Sequence, residues 1–251
     1  MDRRDRIKSP VSINGRKLTL PKGKKIILWV IVNLEVWDTE LPQPRNILPP
    51  PMGISMLPDL PNWSWHEYGM RVGFWRILET LKKRKICSTL ALNATVCDHY
   101  PEAVNAAMSE RWEPMGHGYI QKPMHKVENE FVDIKSAINK IEDFTKNKVI
   151  GWESPGLTET HNTLDILSEN GIKYTANWPI DDQPQDLNVK SGERMLTLPY
   201  PVEINDVVMT SVQAHQSNEL YTRGKLQFDR LYKETDENTK IMSISVHPYL
   251  T

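Results

Sequence analysis

What this chain has little of narrows its function. Its 251 residues include two cysteines, Cys87 and Cys97. Two thiols at this length do not make a disulfide framework, although a single pair between them stays open. Basic and acidic residues nearly cancel, 31 against 32, giving a formal charge of -1. That balance offers no electrostatic case for nucleic acid or an anionic membrane surface as partner. The apolar run over residues 26–32 is too short to span a bilayer. The basic start, residues 1–8, leads into polar, proline-containing sequence without a small-residue cleavage site, so neither an export signal nor an anchor is expected. Reduced, cytoplasmic protein is the expectation.

What the chain does have is alternation. Strands are expected at 25–34, 86–92, 113–118, 149–152, 172–178, 195–199 and 240–246, separated by apolar-periodic helices at 70–83, 94–110 (broken near Pro101), 127–147, 160–170 and 216–233. The first strand, KIILWVIVNL, is continuously apolar, as for a strand covered on both faces. Residues 1–23 read as an extended arm. Residues 36–69, rich in proline and carrying Trp37, Trp63, Trp65 and Tyr68, read as a structured lid over a pocket or as a homo-oligomer contact.

Strand–helix alternation over the whole length predicts one α/β domain, 1–251, with a parallel sheet closed as a barrel or left open. Active groups in such folds gather at the C-terminal ends of strands. Those ends carry Glu35, His117, Glu153, Asp181, Asp182 and His247, and the chain has only seven histidines to place. The sequence stops directly after its seventh strand, where a barrel would want a further helix, so a missing C-terminal element is expected.

The motifs resemble the polysaccharide deacetylase (NodB-homology) family, most closely its branch of cofactor-free bacterial allantoinases. The resemblance rests on Asn33-Leu-Glu35 with Asp38 nearby, Glu67-Tyr-Gly69-Met-Arg71-Val-Gly73-Phe-Trp75-Arg76, Gly116-His117-Gly118, and Gly151-Trp152-Glu153-Ser-Pro155-Gly156. It continues through Trp178 with Asp181-Asp182-Gln-Pro184, Pro199-Tyr200 with Glu203, Asn205 and Asp206, and Ser245-Val-His247. It implies a distorted (β/α)7 barrel and hydrolysis of non-peptide C–N bonds. Two departures stand out. Metal-dependent members carry a second histidine where this chain has Gln121, and an arginine where it has Glu153.

On that resemblance Glu35, His117 and His247 are the expected catalytic set: Glu35 activating water, His117 binding metal or polarising the carbonyl, and His247 protonating the leaving nitrogen. Glu67, Glu153, Trp178, Asp181, Asp182, Asn205 and Asp206 are expected to hold a polar amide substrate. The cofactor is either none or one zinc ion on an incomplete set of Glu35, His117 and His125. A small cyclic amide or ureide is the expected substrate, an N-acetylated sugar is the alternative, and a catalytically inactive barrel that binds a ligand is the rival of another class.

Overall fold

The computed structural model describes residues 2–8, 17–54, 56–200, 202–235 and 238–250. Residues 1 and 9–16 of the expected arm, and Thr251 at the expected missing element, lie outside the described residues. Eight strands run β1 (Ile26–Leu34), β2 (Thr89–Leu92), β3 (Glu113–Gly116), β4 (Gly151–Trp152), β5 (Tyr174–Thr175), β6 (Gln185–Leu187), β7 (Met195–Thr197) and β8 (Lys240–Val246). The helices are α1 (Leu60–Tyr68), α2 (Phe74–Lys83), α3 (Val96–His99), α4 (Pro101–Ser109), α5 (Glu130–Thr145), α6 (Thr163–Glu169) and α7 (Glu219–Glu234). The sheet order is β6-β7-β5-β4-β3-β2-β1-β8. Every neighbouring pair is parallel except β6 with β7. The result is an α/β fold with a curled, half-barrel sheet, in which the seven parallel strands are those the sequence predicts.

Strand parity sorts the side chains. Along β1, Val30, Val32 and Leu34 enter the cluster shared with the helices, whereas Ile31 packs on the opposite face with Ala91, Met115, Ala176 and Tyr200. Side chains two apart share a face, so the face of Ile31 continues through Asn33 to Glu35. The same odd-numbered columns run from Ala91 to Asn93, from Met115 to His117, and from Ser243 through Ser245 to His247. Polar groups thereby collect inside one rim of the sheet.

Three expectations need correction. The start of β1 is not covered on both faces: Ile27 and Leu28 are 39% and 45% exposed. They pair only with β8, because β2 joins the ladder at Ile31. The expected lid over 36–69 ends in helix, since Asp59 caps α1 by accepting from Asn62 N, and a proline in the first helical turn is compatible with that start. The arm is docked rather than merely extended. Ile7 bridges Leu187 of β6, and buried Arg6 donates to both carboxylate oxygens of Asp165 at 2.6 and 2.7 Å.

The two edges of the sheet meet through a loop instead of a strand ladder. Ile241 N donates to Asp182 O at 3.0 Å and Gln183 Nε2 to Thr239 O at 2.7 Å. Cys87 and Cys97 are both free, which closes the question of a pair between them. No helix among the described residues is long and apolar enough to cross a membrane.

Helix α1 passes into α2 through the wide turn Gly69–Gly73. These glycines lie against the segment that follows β8. A Cβ on Gly69 would stand 2.4 Å from Tyr249 N, and one on Gly73 2.0 Å from Pro248 O. Both neighbours are backbone, so a methyl group forces the helix away. Gly73→Ala is expected to lower stability by about 1–3 kcal/mol, the scale of overpacking. Urea denaturation measures this, and an unchanged midpoint would show that the close approach is not needed.

Candidate active site

Glu35 ends the inner column of β1 and is almost fully buried. Its Oε2 accepts from the Trp37 indole N–H at 2.7 Å and its Oε1 from the Gln121 amide at 3.0 Å. The same Oε1 lies 3.8 Å from His117 Nε2 and 3.6 Å from His247 Nε2. Glu35, His117 and His247, spread over more than two hundred residues of sequence, thus meet at one carboxylate oxygen. They line a cavity of about 520 Å³, together with Gln121, Glu153, Tyr200, Asn205 and Tyr249.

Each imidazole is aimed by its other nitrogen. His117 Nδ1 lies 2.6 Å from the Glu153 carbonyl, which can only accept, so Nδ1 carries a proton and Nε2 faces the cavity. That Nε2 is buried without a hydrogen-bond partner among the described residues. His247 Nδ1 lies 2.6 Å from Asp206 Oδ1, while Asp206 Oδ2 accepts from His247 N. The carboxylate thereby fixes both the backbone and the ring.

The charges follow from these partners. Burial pushes the Glu35 carboxyl up, but His117, His247 and the Trp37 N–H outweigh it and hold it down at about 2. Burial disfavours the imidazolium of His247, yet Asp206 and then Glu35 raise its pKa above the ordinary histidine value. His117 is raised in the same direction, chiefly by Glu35 against the cost of burial. Burial dominates at Glu153, whose pKa is raised and whose Oε2 has no hydrogen-bond partner among the described residues. Two neighbouring carboxyls are therefore pushed apart, Glu35 toward ionised and Glu153 toward neutral, a division that suits acid–base chemistry.

A divalent metal does not fit this donor set. Val36 N donates to Asn93 Oδ1 at 3.0 Å, which turns the Asn93 amide nitrogen toward Gln121 Oε1, 3.1 Å away. Gln121 must then present its NH₂ to Glu35. An N–H donor stands where a ligand lone pair would be needed. His125 does not replace it, because it is exposed on the turn Met124–Lys126 and is not part of the cavity lining. No group of three His, Cys, Asp or Glu side chains among the described residues is arranged to hold a metal ion.

The expected substrate-binding set is only partly gathered. Glu153 and Asn205 line the cavity, although Asn205 Oδ1 also accepts from Val207 N and its amide donates to Tyr200. Asp206 is turned onto His247 and not toward the open cavity. Glu67 pairs with Tyr100 between helices, and Trp178 donates to Glu159. Asp181 and Asp182 line a separate groove of about 430 Å³ that shares Tyr200 and Val202 with the cavity. Their loop turns back to meet β8, so these carboxylates leave the rim. Sequence reasoning missed Asn93, Tyr249 and the role of Trp37 as a donor to Glu35. Asn93 was legible in part, lying one residue beyond a strand and on its inner parity.

Comparison with known proteins bears on the family and the fold. Residues 65–175 match the family described as polysaccharide deacetylase. Over 207 residues the chain is 27% identical to a protein of Schizosaccharomyces pombe (strain 972 / ATCC 24843) named "Putative polysaccharide deacetylase", covering 75% of this chain and 64% of that one. The chain therefore spans less than two thirds of that relative's length. Among solved structures, a probable polysaccharide deacetylase from Pseudomonas aeruginosa PAO1 is 26% identical with a TM-score of 0.77, covering 90% of this chain and 79% of that one. An allantoinase superposes with a TM-score of 0.84 at 24% identity over 100% of this chain and 86% of its own, a likeness of fold.

The Trp37 N–H is one of the groups holding Glu35 ionised, so Trp37→Phe should raise the Glu35 pKa from about 2. A depressed carboxylate contributes stability above its unfolded value, and that contribution disappears as pH falls through the folded value. In the variant the loss should be smaller and should end at a higher pH, because its onset is set by the unfolded carboxyl, which the substitution leaves alone. Denaturation midpoints measured across the acid range give the test, and an identical pH profile in both proteins would discount the indole.

Proposed function

Starting from a chain that carries a polysaccharide deacetylase domain, we propose that it hydrolyses a non-peptide carbon–nitrogen bond in a small polar amide or ureide, with no metal taking part. The observation that carries this reading is the convergence of His117 Nε2 and His247 Nε2 on Glu35 Oε1, at 3.8 and 3.6 Å. An ionised carboxylate beside two imidazoles supplies the three things amide hydrolysis needs: a base for water, a donor for the oxyanion and an acid for the leaving nitrogen.

In this mechanism Glu35 takes a proton from water as the water oxygen bonds to the carbonyl carbon. His117, as an imidazolium with Nδ1–H held by the Glu153 carbonyl, donates from Nε2 to the oxygen that becomes negative. His247, kept as imidazolium by Asp206, gives its Nε2 proton to the nitrogen as the C–N bond breaks. A carboxylate near 2 is a weak base at rest. Part of that depression comes from the His247 charge, so losing the His247 proton makes Glu35 more basic, and the two transfers assist one another. A neutral Glu153 would donate a hydrogen bond to substrate.

A cyclic amide or ureide is of a size to fit a cavity of about 520 Å³, which residues 42–45 help to wall in. The superposition on an allantoinase adds fold-level support only.

Glu35→Gln and His247→Asn should each cut turnover by roughly a hundredfold, the usual scale for a positioned base or acid. Release of ammonia, acetate or a ureide product from a panel of amides is the measurement, and an undiminished rate in either variant removes that residue from the mechanism. The raised pKa of His247 means its acid form persists to higher pH than that of an ordinary histidine and is lost as pH rises. The rate profile, kcat/KM against pH, should therefore fall on the alkaline side and stay flat on the acid side until the protein unfolds. Activity should survive exhaustive chelation, and one tightly held zinc per chain whose removal stops turnover would overturn the metal-free mechanism.

A further inference from the structure

Arg45 is the only lysine or arginine among the residues lining the catalytic cavity, and it sits on the Pro42-Gln43-Pro44-Arg45 strap at the exposed mouth. It makes no ion pair or hydrogen bond with any described residue. Its charge nevertheless reaches the phenol of Tyr249 on the cavity wall. Tyr249 is 5% exposed, and its hydroxyl makes no hydrogen bond with any described residue. Its ring is fixed: centroids lie 4.9 Å from Trp37, 5.6 Å from His66 and 5.5 Å from His247. An unpaired guanidinium and an unsatisfied, rigidly held phenol therefore serve the same cavity as Glu35.

We propose that Arg45 and Tyr249 form a carboxylate subsite, so that the substrate carries a carboxylate beside the amide that is cut. This rests on the hydrolytic reading above. The Tyr249 hydroxyl lies on the cavity wall with no protein partner, so its O–H is available to a ligand. A planar carboxylate matches the two-pronged guanidinium and leaves a lone pair for a phenol O–H. Burial holds the Tyr249 phenol well above its usual pKa, so it remains a donor. The scissile carbonyl belongs deeper, between His117 and His247, and the subsite at the mouth holds a part of the substrate that does not react. Binding strength from such a remote group can be used to align the amide.

The probes are N-carbamoylglycine, which combines a ureide with a carboxylate, and its neutral amide, N-carbamoylglycinamide. Their binding to the full chain is followed by calorimetry or tryptophan fluorescence. The wild-type protein should bind the anionic probe at least about tenfold tighter, the scale of a charge-assisted pair. Arg45→Met should erase that preference, Arg45→Lys should keep part of it, and Tyr249→Phe should weaken the anionic probe more than the neutral one. Equal binding of the two probes, no binding of either, or a preference unchanged in Arg45→Met overturns the subsite. Turnover is scored separately. Selective binding without product release from any amide would leave the subsite standing and sink the hydrolase reading.

Discussion

A carboxylate is kept ionised away from water by groups drawn from three separate stretches of chain. Glu35 follows β1, Trp37 lies two residues on, Gln121 and His117 come from the loop after β3, and His247 follows β8. An isolated buried charge would be strongly unfavourable. Here its Oε1 faces an amide N–H and two imidazoles, and its Oε2 receives the indole N–H. The neighbours are held in turn: Asn93 orients Gln121, the Glu153 carbonyl orients His117, and Asp206 orients His247. The site is a set of hydrogen-bonded layers around one negative charge.

Parallel strands make that arrangement possible because they end together. Alternation along each strand assigns one parity to the helix-covered face and the other to the interior. Inner columns that begin with Ile31, Ala91 and Met115 finish with Glu35, Asn93 and His117. The apolar part of each column fills the sheet interior, and the polar tip stands where the core gives way to the cavity. Fold stability and site geometry therefore share the same residues, one register step apart.

Much of the fold was legible for this reason. Short stretches rich in apolar and β-branched residues, such as KIMSISV at 240–246, mark buried parallel strands, and the observed β8 has the same bounds. The short β6 was not legible, since three residues of mixed polarity carry no usable period. Helix α1 was hidden because Pro61 and a dense set of aromatics look like loop, although a proline in a first turn is compatible with helix. Within the site, side chains that directly end a strand could be placed from sequence. Groups in long loops could not: Asp181, Asp182 and Glu67 depend on where the loop or helix turns, and Asp206 on which partner it meets. His125 shows the same limit, since spacing along a chain says little about direction.

The join between the sheet edges has a mechanical consequence. Elsewhere neighbouring strands are laced by ladder bonds, but β8 meets the 181–183 turn through isolated bonds and touches Asn205 by a single bridge at Ser245. Such a ring is compliant at one place. Any widening along that seam would pull on side-chain bonds, Tyr200 to Ser245, Ser243 to Pro199 and Asp206 to His247, and so on the imidazole that faces Glu35.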